Sequence, residues 1–83
     1  MTDPRKISSK IDELLDARAE GTTICPSEVA RALGGDTWRE LMRPVREVAA
    51  TRAESGDLKV TRGGREIDAR NPGGPIRLSR PDP

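Results

Sequence analysis

Histidine is absent from this sequence, and cysteine and aromatic residues occur only once each, as Cys25 and Trp38. One cysteine without histidine cannot supply the ligands of a structural zinc site, and no histidine base is present to activate the thiol. The acidic residues show neither paired catalytic carboxylates nor the spacing of a calcium loop. We therefore expect no enzyme activity, no bound metal and no cofactor.

Long apolar segments are missing as well. No run of about 18 apolar residues is present that could span a membrane, and the first ten residues lack the apolar segment of a signal peptide. The single cysteine rules out an intrachain disulfide bond and fits a reducing compartment. The composition therefore predicts a cytoplasmic protein with no membrane partner.

The length of 83 residues indicates one small domain with a thin core. We assign residues 1–80 to this domain. The last three residues, Pro-Asp-Pro at 81–83, are expected to form a disordered tail.

Apolar residues recur at helical spacing in three segments, at residues 4–19, 26–33 and 38–55. The stripe of the first segment consists of Ile7, Ile11, Leu14 and Leu15. Pro26 suits the first turn of the second helix, and the pair Gly34-Gly35 is a typical helix end. The spacing of Thr37 and Glu40 predicts a capping box at the start of the third helix. Pro44 leaves two alternatives, a kinked third helix or a helix that begins anew there.

The periodicity changes after Gly56, where apolar and polar residues alternate. This alternation predicts a strand at residues 57–62, a turn at Gly63-Gly64 and a return strand at 65–68. Residues 76–78 alternate again, and residues 22–25 are β-branched enough for one short strand. Three helices followed by a two-stranded hairpin predict an α+β fold of the winged helix-turn-helix type, with the hairpin as the wing.

Four segments of the sequence resemble a family of small bacterial domains of unknown function. They are TICPSEVAR at residues 23–31, WRELM at 38–42, VR at 45–46 and GPIRL at 74–78. The resemblance extends from Ile7 to Arg80 and implies a winged-helix fold. It implies no biochemical activity and no site residues.

Three arginines of the third predicted helix share one face. Arg39, Arg43 and Arg46 are spaced at i, i+4 and i+7, away from the apolar stripe. In a winged helix the third helix enters the major groove of DNA, where arginine pairs with guanine or holds phosphates. The alternative is an ordinary solvated surface on which neighbouring glutamates neutralise the arginines.

The predicted wing is also basic, with Lys59, Arg62, Arg65 and Arg70 around its turn. These side chains could contact DNA phosphates, and Ser27 at the start of the second helix could add another phosphate contact. The alternative is that the charges only protect the edge of the sheet from pairing with other chains.

Cys25 and Trp38 each have a structural and a functional interpretation. Cys25 is either a small buried residue or helix cap, or a redox-sensing thiol at a helix N-terminus. Trp38 is either a core residue that locks the third helix against the first, or a stacking platform.

The charge distribution leaves two functions open. Residues 1–36 carry five basic and seven acidic side chains, whereas residues 37–80 carry ten basic and six acidic ones. A net charge of +1 therefore conceals a basic second half. We expect a DNA-binding, transcription-regulator-like module with double-stranded DNA as partner. The alternative is a protein–protein interaction module that binds no nucleic acid.

Overall fold

The computed structural model describes residues 3–19, 21–71 and 74–81 of the chain. These residues contain the α-helices α1 (Pro4–Asp16), α2 (Pro26–Gly34) and α3 (Trp38–Glu54), and one 3-10 turn (Gly35–Thr37) between α2 and α3. The strands are β1 (Lys59–Arg62), β2 (Arg65–Glu66) and β3 (Arg77–Ser79). The expected α+β class is confirmed. Of the predicted tail, Pro81 is exposed, and residues 82–83 lie outside the described residues.

Helix α1 begins where the sequence predicts. The carboxylate of Asp3 accepts a hydrogen bond of 2.8 Å from the backbone N–H of Arg5, which satisfies one free donor of the first turn. The apolar stripe faces inward, and Ile7, Ile11 and Leu15 are buried. The helix is therefore held by its cap and by burial of one face.

A side chain from its own first turn caps helix α2. The Glu28 carboxylate accepts a hydrogen bond of 2.8 Å from the backbone N–H of Cys25. At the other end, Gly35 has a φ of 54° and a ψ of −123°, a conformation that glycine adopts without strain. The chain turns there and passes through the 3-10 turn into α3.

Helix α3 is one continuous helix through Pro44. Pro44 removes the N–H that would bond to the carbonyl of Glu40. Glu40 is exposed, which places the missing bond on the solvent side of the helix. The predicted Thr37–Glu40 capping box is wrong, because the Thr37 hydroxyl donates backward to the carbonyl of Gly34 at 3.0 Å and makes no cap bond with α3.

The three strands form an antiparallel sheet in the order β2-β1-β3. Val60 of β1 lies opposite Leu78 of β3. The strand expected at residues 22–25 is reduced to one bridge, in which Ile24 exchanges backbone hydrogen bonds of 2.8 and 2.7 Å with Leu78. Strand β2 is shorter than predicted because Asp68 starts a turn, with its carbonyl accepting a bond of 2.9 Å from the N–H of Asn71.

One apolar cluster joins the helices to the sheet. Its largest fully buried side chains are Ile7, Ile11, Ile24, Val29, Val45, Val60, Ile76 and Leu78. Trp38 packs at the edge of this cluster and is only half-buried. Among the described residues, no helix is both long and apolar enough to cross a membrane.

Candidate nucleic-acid interface

The structure brings the three predicted arginines of α3 together on one groove. Arg39, Arg43 and Arg46 line a concave surface with a volume of about 710 Å³. Met42, Glu47 and Arg70 complete the lining. The groove therefore combines four guanidinium groups with one carboxylate.

These three arginines make no ion pair within the described part of the chain. Arg39 and Arg43 are exposed, whereas Arg46 is half-buried. The Nε atom of Arg46 is buried and finds no hydrogen-bond acceptor among the described residues. The charge of these three guanidinium groups is therefore not taken up by ion pairs among the described residues.

Most arginines elsewhere are paired. Arg52 and Arg80 both donate to the Asp12 carboxylate on α1 at 2.8 Å, and Arg80 also pairs with Asp16. Burial raises the pKa of Asp12, but hydrogen bonds and charges from Arg52 and Arg80 outweigh burial and hold this pKa below its ordinary value. The side of the molecule around α1 is consequently balanced in charge, unlike the groove on α3.

Arg70 connects the chain segment after β2 to the outer face of α3. Its guanidinium group donates to Glu47 at 2.9 Å and to Glu54 at 3.0 Å. These hydrogen bonds raise the pKa of Arg70. Arg70 thus neutralises the two carboxylates that lie beyond the arginines along α3.

Trp38 lies against two arginines. The guanidinium carbon of Arg31, on α2, is 4.4 Å from the centre of the Trp38 ring, and that of Arg39 is 4.8 Å away. Both distances fall within the range of cation–π contacts. Trp38 therefore borders the basic groove, in addition to packing against the edge of the core.

The basic residues of the hairpin differ in their exposure and in their contacts with the rest of the fold. Arg62 donates to the backbone carbonyls of Asn71 and Gly74, at 2.9 and 3.1 Å, and so closes the loop after the hairpin. Arg65 lies opposite Arg62 in the sheet register and is exposed. Lys59 is half-buried at the start of β1. Arg65 is thus the member of this set with the most accessible charge.

The start of α2 already carries a negative charge. Ser27 is half-buried, and its hydroxyl lies 2.9 Å from the Cys25 thiol. The neighbouring Glu28 carboxylate caps the helix and pairs with Arg18. A phosphate at this helix end would meet that carboxylate, so Ser27 stays a prediction with weaker support than the arginines of α3.

The described residues contain no cluster of three Cys, Asp or Glu side chains that could hold a metal ion. The geometry offers cationic and hydrogen-bonding groups for an anionic partner.

A family described as "Protein of unknown function" (DUF3253) matches residues 4–81 of the chain. The chain belongs to this family. The expected resemblance to a small family of unknown function is thereby confirmed, and DUF3253 brings no established activity. No curated protein matches the sequence.

Sequence reasoning missed two features of this DUF3253 protein. Arg31 was outside the predicted site, because its contact with Trp38 depends on how α2 packs against α3. Arg70 was assigned to the hairpin region, but its pairing with Glu47 could not be read from residues 23 positions apart. No local sequence signal indicates either contact, because both depend on how separate elements pack together.

Proposed function

We propose that this DUF3253 protein is a winged-helix module that binds double-stranded DNA through α3 and the β1–β2 hairpin. In this proposal α2, the 3-10 turn and α3 are the helix-turn-helix, α3 is the recognition helix and the hairpin is the wing. The arginine cluster on α3, which forms no ion pair with any described residue, carries the proposal. It consists of Arg39, Arg43 and Arg46.

The topology supports the winged-helix assignment. Strand β3 is bonded on one side to β1 and on the other to the single bridge at Ile24. Along the chain, the bridging residue Ile24 lies between α1 and α2, and β1 is the first element after α3. The hairpin is formed by β1 and the next strand, β2. This order of elements is the one expected for helices followed by a wing.

The charges support DNA as the partner. Duplex DNA presents closely spaced phosphates, and arginine is suited both to phosphates and to guanine edges in the major groove. Arg39 and Arg43 are exposed and one helical turn apart, so both can reach the same groove. Arg65 at the hairpin end would then contact the backbone beside it.

Duplex binding with the expected salt dependence tests the proposal. The protein is titrated against a fluorescent mixed-sequence duplex at about 50 and 200 mM salt, beside a variant with Arg39, Arg43 and Arg46 changed to Gln. A matched control removes the same charge elsewhere, through Arg5→Gln, Arg77→Gln and Arg80→Gln. Circular dichroism verifies that all three proteins are folded.

We expect binding that weakens with salt, that the α3 variant loses and that the control largely retains. If the folded wild-type protein does not bind the duplex at about 50 mM salt, the DNA proposal is wrong. The alternative is then a protein-interaction module whose arginine groove takes an acidic partner. Equal loss in the two variants would show that only net charge matters and would remove α3 from the interface.

A further inference from the structure

The contact between Trp38 and two arginines lies at the junction of α2 and α3. Arg31 comes from the second half of α2, and Arg39 from the first turn of α3. Both arginines are exposed, and neither has an acidic partner among the described residues. Two cations are therefore held next to one indole ring, at 4.4 and 4.8 Å from its centre.

This arrangement leaves the guanidinium groups ready for an anion. Stacking on an aromatic ring uses the flat face of a guanidinium group, whereas its N–H donors point outward in the plane. The two like charges repel each other, and an anion that accepts hydrogen bonds from both would relieve that repulsion. A phosphate group has the charge and the acceptor oxygens for this role.

The cluster is continuous with the groove on α3, because Arg39 belongs to both. We propose that Arg31, Trp38 and Arg39 form a phosphate-binding site that extends the DNA interface from α3 onto α2. Arg31 and Arg39 bind a phosphate of the duplex backbone, and Trp38 is the positioning residue that holds them. This inference rests on the proposed function, and it adds a residue and a surface that the helix-turn-helix assignment alone does not supply.

A backbone phosphate fits this site better than a stacked base. A stacked base needs an open face of the indole ring. Trp38 is half-buried against the core, and two guanidinium groups lie over its ring. The hydrogen-bond donors beside the ring belong to two positively charged groups, so the ligand that they select is an anion.

The salt dependence of duplex binding tests Arg31 directly. Affinities of the wild-type protein, Arg31→Gln and Arg80→Gln are measured between about 50 and 200 mM salt on the same duplex and on one of its separated strands. Arg80→Gln is the matched control, since it removes the same charge at a position bonded to Asp12 on α1. The emission of Trp38, the only tryptophan, reports whether duplex reaches the site.

We expect Arg31→Gln to reduce the steepness of the log–log salt plot by about 0.9, the value for one phosphate contact. Over a fourfold change in salt, the wild-type protein would then lose about 3.5-fold more affinity than the variant. Arg80→Gln should keep the wild-type slope. Trp38 emission should change on saturation with duplex, with a smaller change in Arg31→Gln.

The other outcomes separate this inference from the proposed function. The wild-type protein could bind the duplex while Arg31→Gln and Arg80→Gln show equal slopes in the salt plot, or while Trp38 emission stays unchanged. Either result would overturn the phosphate site and leave the proposed duplex binding intact. A larger loss for single-stranded than for duplex DNA in Arg31→Gln would replace the phosphate site by base stacking. Absence of duplex binding by the wild-type protein would overturn the proposed function and this site with it.

Discussion

The guanidinium group of Arg52 on α3 donates a hydrogen bond of 2.8 Å to the carboxylate of Asp12 on α1. The same group donates to Asp57 at 2.6 Å and to the backbone carbonyl of Ser8 at 3.2 Å. Only 13% of the Arg52 side chain is exposed. One partly dehydrated side chain thus joins the first helix, the third helix and the turn that leads into the sheet.

Arg52→Ala is expected to lower the free energy of unfolding by about 1–3 kcal/mol. The Ser8 carbonyl and the Asp12 carboxylate lose a donor, but Asp12 is 42% exposed, so water compensates for part of the loss. Urea unfolding followed by circular dichroism measures the change. Arg5→Ala is the control, because the Arg5 side chain is 92% exposed and solvent screens its ion pair with Asp3, so this substitution should change the stability much less. Equal effects of the two substitutions would contradict a structural role for Arg52.

Stability should fall in acid, and two of the carboxylates responsible are those of Asp12 and Glu28. Burial raises the pKa values of Asp12 and Glu28, but the hydrogen bonds and arginine charges around them outweigh burial and lower both values in the folded state. A carboxyl group with a lowered folded-state pKa stabilises the fold above its unfolded-state pKa. That stabilisation is lost as the pH falls through the folded-state pKa.

The measurement is the urea midpoint at several pH values from about 7 down to about 2. We expect the midpoint to decrease below the ordinary carboxyl pKa, near 3.8 for Asp12. Asp12→Asn should lower stability at neutral pH and make the acid decline shallower. A variant that declines as steeply as the wild-type protein would exclude Asp12 as a source of the pH dependence.

Gly35, at the α2–α3 junction, is expected to tolerate no other residue without a loss of stability. Its φ of 54° and ψ of −123° lie in a region that residues with a Cβ atom rarely adopt. A Cβ atom at this position would meet no atom of the described residues within 4 Å, so the cost comes from the backbone and not from crowding. Gly35→Ala should lower the free energy of unfolding by about 1–3 kcal/mol. Asp36→Ala, at the exposed neighbouring position, should change it by no more than about 0.5 kcal/mol in the same urea experiment.

The helices could be predicted because their signals are local. Apolar spacing marks the buried face of α1, and Gly35 marks the end of α2. The capping interaction of α3 could not be predicted from Thr37 and Glu40, because the 3-10 turn directs the Thr37 hydroxyl back to Gly34. Thr and Glu can stand three residues apart whether or not the chain before the helix has the backbone angles that a capping box requires.

Strand-forming residues in the sequence do not by themselves show how long a strand will be. Residues around Ile24 have strand-forming side chains, but only one bridge to Leu78 forms, because the chain enters α2 at Pro26. Among the site residues, the grouping of Arg39 with Arg43 follows from helical spacing. The contact of Arg31 with Trp38 could not be predicted, since it depends on the packing of two helices.

The last prediction concerns the negative charge of Glu47 and its effect on duplex binding in the α3 groove. Glu47 lines the groove and is bonded to Arg70 at 2.9 Å. Removing its charge through Glu47→Gln should strengthen duplex binding about two- to fivefold at low salt, because one repulsive charge near the phosphates disappears. Arg70→Gln should weaken binding, because Glu47 and Glu54 then face the DNA without a counter-charge. Fluorescence anisotropy with a labelled duplex measures both affinities.

Glu13→Gln is the matched control for Glu47→Gln. Glu13 is exposed on α1 and pairs with Lys10 at 2.9 Å, so its removal changes the net charge equally but away from the α3 groove. If Glu13→Gln strengthens binding as much as Glu47→Gln, the effect comes from net charge and the groove is not the contact surface. If only Glu47→Gln strengthens duplex binding and Arg70→Gln weakens that binding, the DNA lies along the arginines of α3 and ends near Glu47. The pairing with Arg70 would then determine how far along α3 the duplex can be held.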